Sequence, residues 1–262
     1  ILASASTTTP EAPVALIGPR LRQAAAEGRT INVGVFGDSF GDGVWAGLYH
    51  QLPSAEGIVV HKLSRQATGF TRYRTLNLLD DIGARLQRQP IDIAVLSYGA
   101  NDMQGIYHEG RGAMFMTPEW RRIVAERVGA VVARLREHGA VVYWVGLPKM
   151  RDPAYDSQVQ AMNGFYTERM RELAVPYIDT ARMSVDSSGQ YAPYLLNPAN
   201  GERTMARAND GIHMTIPGYL ILTRGLSARI RASVAEARAR NGAGRPVREA
   251  TKGPAGGSRQ TI

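Results

Sequence analysis

The segment INVGVFGDSFGD, residues 31–42, joins an apolar run to a turn of small and polar residues. Its first part, residues 31–36, is short and rich in β-branched side chains, which predicts a buried β-strand. The turn that follows holds Ser39 among glycines and aspartates, and residues 43–52 then have helical character. A strand that passes through a tight turn into a helix is typical of the start of a βαβ unit.

The rest of the chain repeats this alternation of strand-like and helix-like segments. Residues 76–89, for example, carry apolar side chains on one helical face, and Pro90 ends the pattern. Strands that alternate with helices predict parallel βαβ units around a sheet covered on both faces. We expect further strands over residues 58–63, 91–97, 140–147 and 175–179, helices over 76–89, 117–138, 156–174 and 217–240, and loops over 184–207.

The 262 residues fit a single α/β domain, and neither an internal repeat nor a second domain boundary is visible. We expect the domain over residues 29–240, a flexible leader and first helix in residues 1–28, and a disordered basic tail in residues 241–262. Ala3-Ser4-Ala5 is typical of a signal-peptide cleavage site, which favours a periplasmic or secreted protein. The alternative is that the sequence simply begins at an arbitrary point.

Composition excludes several classes of partner. The net charge is +8 and the isoelectric point is about 10.0, which favours acidic partners, although the tail contributes part of this charge. The basic residues of the tail lack interleaved aromatic side chains, and no nucleic-acid motif is present, so we expect no nucleic-acid partner. No apolar run reaches the roughly 18 residues of a membrane span. The chain has no cysteine, which excludes disulfides, and no oligomeric state is predicted.

The candidate chemistry centres on Ser39 and on the segment Asp210-Gly211-Ile212-His213, just before the last helix. A serine hydroxyl is barely ionised at neutral pH and needs a base to become a nucleophile. Among the five histidines, His213 is the one with an aspartate at this short spacing in a glycine-containing turn. Asp210 can accept a hydrogen bond from the imidazole and fix its tautomer. The sequence therefore predicts Ser39 as nucleophile, His213 as base and Asp210 as the orienting carboxylate.

Two further strand ends supply groups that suit a developing oxyanion. Catalytic groups of a parallel sheet lie beyond the carboxyl ends of its strands. Asn101 follows one predicted strand and offers a side-chain N–H, while Gly69, after another, offers a backbone N–H that a ligand can approach closely. The N–H of Ser39 is a third candidate donor. Taken singly, Asn101 is equally explained as a turn residue and Gly69 as a loop glycine.

Taken in chain order, these motifs resemble those of the SGNH/GDSL hydrolases, named for their Ser, Gly, Asn and His. Gly37-Asp38-Ser39 resembles the first block, Gly69 the second, Gly99-x-Asn101-Asp102 the third and Asp210-x-x-His213 the fifth. The family usually has leucine after the serine, where this chain has Phe40. The resemblance implies a flavodoxin-like three-layer α/β/α sandwich with a central, mostly parallel five-stranded sheet. It also implies ester hydrolysis without a metal or cofactor, with Ser39, Gly69 and Asn101 as the oxyanion hole.

The substrate is less closely defined by the sequence. Aromatic and arginine residues near the strand ends suit a sugar, especially an anionic one, but they equally suit an ordinary solvated surface. Together with the export pattern they lead us to expect an O-acetylated carbohydrate of the cell envelope, and candidate contacts are Asp38, Arg65, Asp102, Tyr107 and Arg151. Turn and supporting hydrogen bonds explain Asp38, Asp42 and Asp102 equally well, and no metal-ligand pattern is present. The alternatives are an O-acetyltransferase with the same acyl-enzyme, a lysophospholipase or thioesterase, and a non-catalytic glycan-binding protein.

Overall fold

The computed structural model describes residues 15–242, and a parallel five-stranded β-sheet lies at its centre. In chain order the strands of the described range are β1 (Ile31–Gly37), β2 (Ile58–Lys62), β3 (Ile93–Ser97), β4 (Ile106–His108), β5 (Arg111–Ala113), β6 (Val141–Val145), β7 (Tyr177–Ile178), β8 (Tyr194–Leu196) and β9 (Arg203–Met205). The central sheet has the order β2-β1-β3-β6-β7, with every neighbouring pair parallel. The predicted α/β class and five-stranded sheet are confirmed.

Six α-helices of the described range cover both faces of this sheet. They are α1 (Pro19–Glu27), α2 (Ser39–Gln51), α3 (Leu78–Arg88), α4 (Pro118–Glu137), α5 (Pro153–Glu172) and α6 (Ile216–Gly242). One buried cluster joins α3, α4 and α5 to one face of the sheet, and a second joins α1, α2 and α6 to the other. Because β3 and β6 are buried on both faces, their sequences are continuous apolar runs without polar alternation.

Helices α2 and α6 approach each other closely at two glycines of α2. A Cβ atom added to Gly43 would lie 1.8 Å from Cζ of Tyr219, and one added to Gly47 would lie 2.5 Å from Oγ1 of Thr223. Any larger side chain at either position would therefore separate the helices. The contact matters for function because Ser39 is the first residue of α2, and α6 begins three residues after His213.

The helix and strand boundaries agree with the sequence to within a few residues, with two exceptions. Helix α2 begins at Ser39 and not at Gly43, because the Asp38 side chain accepts a hydrogen bond from the backbone N–H of Phe40 and caps the first turn. The second exception is a pair of small antiparallel hairpins, β4–β5 and β8–β9, which the sequence did not indicate. Strands of three residues are too short to show an apolar periodicity.

The expectations for both chain ends fall largely outside the described residues. This applies to the leader over residues 1–14, including Ala3-Ser4-Ala5, and to residues 243–262 of the basic tail. Asn241 and Gly242, which we assigned to the tail, are the last two residues of α6. Within residues 15–242, no helix combines the length and the apolar character needed to cross a bilayer.

Candidate active site

Ser39 lies where β1 passes into α2, at the carboxyl edge of the sheet. The backbone N–H of Asp38 donates to the carbonyl of Ser97 on β3, which ties this turn to the neighbouring strand. Ser39 itself is half-buried, whereas Asp38 and Phe40 on either side are buried. The first N–H groups of a helix have no intrahelical acceptor and carry the positive end of its dipole. The turn thus presents a hydroxyl beside donors that favour negative charge.

The structure brings His213 to Ser39 across 174 residues of sequence. Nε2 of His213 lies 2.9 Å from Oγ of Ser39, and Nδ1 lies 2.7 Å from Oδ2 of Asp210. Since an ionised carboxylate only accepts hydrogen bonds, Nδ1 carries the proton and Nε2 is free to accept the serine proton. The ring of Phe40 stacks on the imidazole with a centroid distance of 5.0 Å, which holds the ring plane. The three predicted catalytic side chains therefore form one connected chain of hydrogen bonds.

Asp210 also shapes the loop that carries the histidine. Its Oδ1 accepts hydrogen bonds from the backbone N–H groups of Ile212 (2.8 Å) and His213 (2.9 Å). Between them Gly211 has φ +74°, a left-handed conformation that glycine adopts without strain. Burial opposes ionisation of Asp210, but the hydrogen bonds from the imidazole and from these two N–H groups prevail and lower its pKa to about 2. Asp210 is therefore a carboxylate throughout the physiological range.

The two other predicted oxyanion donors lie on loops that contact each other. The side-chain N–H of Asn101 donates to the carbonyl of Thr68, the residue before Gly69, at 3.0 Å. A Cβ atom added to Gly69 would lie only 2.4 Å from Oδ1 of Asp102. Asp102 in turn accepts hydrogen bonds from the N–H (2.7 Å) and hydroxyl (2.8 Å) of Thr71. The loop after β2 is thus fixed to the loop after β3 on both sides of Gly69.

The structure corrects two of the predicted substrate contacts. The side chains of Asp38 and Asp102 are fully buried, so neither can touch a substrate. Burial raises the pKa of both carboxyl groups, and that of Asp38 reaches about 7. Asp38 caps α2 and Asp102 supports the Gly69 loop, which are the turn and supporting roles that the sequence also allowed. The sequence does not show which side chains are buried, so a carboxylate near the motif serine is easily assigned to substrate binding.

The remaining predicted contacts are exposed but differ in their surroundings. The guanidinium of Arg65 lies 3.6 Å from Asp81, in a weak ion pair. Tyr107 on β4 is 57% exposed, and the guanidinium of Arg74 lies 5.9 Å from the centre of its ring. Arg151 donates to the carbonyls of Asn209 and Asp210, so its bonds are to the catalytic loop.

The sequence did not predict a role for two residues that lie next to the catalytic groups. Phe40 was noted only as a departure from a motif, yet its ring stacks on His213. Arg207 lies in a loop-rich stretch with no pattern to single it out, yet it is buried beneath the catalytic loop. Among the described residues, no group of three or more histidine, aspartate or glutamate side chains has the arrangement of a metal site.

Fold and site together define the class of the protein: it has the three-layer fold of the SGNH/GDSL hydrolases, with a serine, a histidine and an aspartate joined at the carboxyl edge of the sheet. The chain belongs to the family described as "Protein of unknown function (DUF459)", whose model matches residues 32–229. A search of curated protein sequences gives no match.

Solved structures share this fold at low sequence identity. A GDSL-like lipase from Bacteroides thetaiotaomicron is 15% identical, with a TM-score of 0.51 over 83% of this chain and 98% of its own. A member of the lipolytic G-D-S-L family from Veillonella parvula is 15% identical, with a TM-score of 0.51 over 77% and 100%. The psychrotrophic esterase EstA from Pseudoalteromonas is 13% identical, with a TM-score of 0.50 over 78% and 98%. At such identities the likeness establishes the fold.

Proposed function

We propose that the protein is a serine esterase that hydrolyses carboxylic esters through an acyl-Ser39 intermediate. The observation that carries this proposal is the pair of distances at His213, 2.9 Å to Oγ of Ser39 and 2.7 Å to Oδ2 of Asp210. This arrangement gives a weak nucleophile a base of fixed tautomer, which is the requirement for attack on a carbonyl carbon.

In the first half of the reaction, Oγ of Ser39 attacks the ester carbonyl while Nε2 of His213 takes its proton. The negative charge of Asp210 stabilises the imidazolium that forms. The N–H groups of Ser39, Gly69 and Asn101 would donate to the oxyanion, at the positive end of α2. Collapse of the tetrahedral intermediate breaks the bond to the alcohol, and His213 returns the proton to the departing oxygen.

In the second half, water replaces the alcohol. His213 takes a proton from the water as the water oxygen attacks the acyl carbon. The resulting intermediate then breaks its bond to Oγ of Ser39, which takes the proton back from Nε2 of His213 as the acid product leaves. Each proton thus moves through one nitrogen, Nε2, which must be unprotonated at the start of both halves. The same acyl-enzyme could pass its acyl group to a sugar hydroxyl, and measuring free acetate beside acetylated sugar acceptors distinguishes this transfer from hydrolysis.

For the substrate we propose an O-acetylated carbohydrate of the cell envelope. The side chains of His213 and Asp210 are 36% and 44% exposed, so the site is shallow and a long acyl chain would remain largely in water. The exposed ring of Tyr107 with Arg74 beside it joins the loops after β3 and β2, which carry Asn101 and Gly69. An aromatic face next to a cation suits a sugar ring with an anionic substituent.

Such a substrate requires export from the cytoplasm, and we therefore propose a periplasmic or secreted location. The support is the small-residue pattern Ala3-Ser4-Ala5, which lies outside the described residues. Expression of the full-length natural gene with a C-terminal tag, followed by cell fractionation, tests this directly. Recovery of the protein in the cytoplasmic fraction alone would contradict it.

The test of the reaction compares p-nitrophenyl acetate with p-nitrophenyl octanoate, for the parent protein, Ser39→Ala and the control Ser54→Ala. Ser54 is exposed and lies at the start of a short 3₁₀ turn, Ser54–Glu56, away from the histidine. We expect acetate to be the better substrate and its turnover to vanish only in Ser39→Ala. A parent without turnover and without labelling by a fluorophosphonate would refute the esterase and favour the glycan-binding alternative.

The test of the substrate measures acetate release from acetylated polysaccharides. We expect Arg74→Ala and Tyr107→Ala to raise KM for the polymer several-fold while leaving hydrolysis of p-nitrophenyl acetate unchanged. Appearance of the acetyl group on added sugar acceptors, with little free acetate, would identify a transferase. Equal KM values for the variants and the parent would refute the role of the Arg74–Tyr107 pair.

A further inference from the structure

The loop that carries Asp210 and His213 is closed at its base by two backbone contacts. The N–H of Ala208 donates to the carbonyl of His213 at 3.0 Å, and Arg207 and Met214 form an antiparallel bridge. Between these points the loop lies at the surface, with its two catalytic side chains more than one third exposed. Ile212 packs against a buried cluster and the His213 ring stacks on Phe40, and the polar contacts of the loop backbone add to these in keeping His213 within hydrogen-bond reach of Ser39.

On its outer side, the loop is bound by the guanidinium of Arg151. One terminal nitrogen donates to the carbonyl of Asn209 at 3.0 Å, and the other to the carbonyl of Asp210 at 3.1 Å. The backbone N–H of Arg151 adds a bond to the carbonyl of Gly211 at 3.0 Å. The guanidinium lies so close to the turn that a Cβ atom at Gly211 would be 2.5 Å from Nε of Arg151.

Arg151 is in turn fixed to the body of the domain. It directly follows Met150, whose N–H donates to the buried side chain of Asp156 on α5 at 2.8 Å. The ammonium of Lys149 lies 2.9 Å from the same carboxylate. The carbonyls of the loop are thus bound to a segment that does not move independently of α5.

On its inner side, the loop rests on the guanidinium of Arg207, which is 2% exposed. One terminal nitrogen donates to the carbonyl of Ile212 at 3.1 Å and lies 3.5 Å from the carbonyl of Gly211. The ring of Tyr191 lies 4.7 Å from the guanidinium carbon. No ion pair among residues 15–242 includes Arg207, so carbonyl oxygens and an aromatic face stand in for a carboxylate partner. Burying a cation in this way costs free energy, which indicates a role beyond packing.

We propose that Arg151 and Arg207 are positioning residues that hold the catalytic loop from opposite sides and keep His213 at the distance that proton transfer from Ser39 requires. Together they bind the carbonyls of four consecutive residues, 209–212, while Asp210 binds the N–H groups of the same turn. Both the carbonyl groups and the N–H groups of this turn are therefore held by hydrogen bonds. This inference rests on the proposed esterase function, and it gives Arg151 a role different from the substrate contact that the sequence predicted.

The chain offers a matched control in Arg238. Its guanidinium donates to the carbonyls of Glu56 (3.1 Å) and Gly57 (3.4 Å) in another surface turn. Gly57 has φ +71°, and a Cβ atom there would lie 2.7 Å from the guanidinium. Arg238→Ala therefore removes the same kind of contact, an exposed arginine on two carbonyls of a left-handed glycine turn, at a place without catalytic groups.

The experiment compares Arg151→Ala with Arg238→Ala by kinetics on p-nitrophenyl acetate and by hydrogen–deuterium exchange of the peptide covering residues 208–213. Because a displacement of about 1 Å can cost two orders of magnitude, we expect Arg151→Ala to lower kcat by about 10- to 100-fold. KM should stay within about twofold, since a small ester reaches only the reacting groups. Exchange of the loop amides should rise about tenfold. Arg238→Ala should leave kcat and this exchange unchanged.

A second variant, Arg207→Met, keeps much of the side-chain volume but offers no donor to the carbonyls of Gly211 and Ile212. We expect it to lower kcat in the same way, and Arg151→Lys to recover only part of the loss. Parent-like kcat and exchange in Arg151→Ala would overturn the proposal. So would an effect confined to KM for the polymer, which would make Arg151 a substrate contact. If the parent hydrolysed no ester, the esterase proposal would fail, while the exchange data would still decide whether the two arginines hold the loop.

Discussion

Replacing Asp210 by asparagine changes the function of the site while keeping the shape of the loop. The side-chain oxygen Oδ1 accepts from the N–H groups of Ile212 and His213, and an amide oxygen can keep both bonds. The amide nitrogen then takes the place of Oδ2, 2.7 Å from Nδ1 of the imidazole. Because an amide nitrogen donates, Nδ1 must accept, and the ring proton moves to Nε2. In that tautomer Nε2 cannot take the proton of Ser39.

The size of the effect follows from the alternative orientation of the amide. Turning the amide over would restore the active tautomer but would leave two backbone N–H groups facing an NH₂ group. At about 1.5 kcal/mol for each unmatched donor, a low value chosen because the turn is partly exposed, the active orientation is disfavoured by about 10²-fold. Loss of the negative charge beside the imidazolium costs about another tenfold. We therefore expect Asp210→Asn to lower kcat by about 10³-fold, less than the roughly 10⁶-fold expected for Ser39→Ala.

The assay is steady-state hydrolysis of p-nitrophenyl acetate at pH 7 with thermal unfolding measured in parallel. Asp186→Asn is the matched control, because Asp186 accepts from the N–H groups of Ser188 and Gln190 in a similar exposed turn without a histidine. Both variants should unfold within a few degrees of the parent, and only Asp210→Asn should lose activity. A kcat for Asp210→Asn within tenfold of the parent, with an unchanged Tm, would refute the tautomer argument.

Three further predictions concern the surroundings of the catalytic groups. Gly69→Ala should lower kcat by about 10- to 100-fold, because its Cβ would meet Oδ1 of Asp102 at 2.4 Å and displace the loop that carries the oxyanion donor. Gly164→Ala, with open space around it, is the control and should leave kcat unchanged. Equal kcat values for the two variants would contradict this prediction. Asp38 has a folded-state pKa of about 7 against about 3.9 when unfolded. The folded state therefore holds a proton that the unfolded state releases, and stability should fall between pH 4 and 7, by on the order of 4 kcal/mol. Urea unfolding across this range should show a steeper loss of stability in the parent than in Asp38→Asn, in which the raised pKa of Asp102 still contributes, and parallel curves would refute the role of Asp38. Finally, activity should be unchanged in EDTA, since protein groups alone supply the base and the oxyanion donors; an inhibition reversed by a divalent cation would show that the scheme is incomplete.

Most of the fold was predictable because the central strands are buried on both faces. Residues such as Val95 and Trp144 lie in unbroken apolar runs, and Pro90 and Gly139 separate these runs from their helices. The start of α2 was not predictable, because Gly41 and Gly43 weaken the local helical signal. The need for Gly43 comes from the ring of Tyr219, which is distant in sequence, so tertiary packing decides what the local composition obscures.

The candidate site was predictable where its residues lie close together in the sequence. Asp210 and His213 are three residues apart, and their juxtaposition follows from one turn. Burial is a property of the whole fold, which is why Asp38 and Asp102 were assigned to the substrate when in fact they support loops. The role of Arg207 is harder still to predict, because its partners are backbone carbonyl oxygens, which every residue has, so no residue type in the sequence points to the contact.

The close contact of α2 with α6 at Gly43 also determines at what stage of synthesis proton transfer from Ser39 to His213 becomes possible. The ribosome delivers Ser39 early, but the proton acceptor and the last helix emerge some 170 residues later. In a nascent chain the hydroxyl of Ser39 therefore has no proton acceptor until His213 has emerged and α6 has docked against Gly43 and Gly47. A product truncated before residue 213 would therefore lack both the proposed base and the helix that follows it, and Ser39 would have no partner for proton transfer.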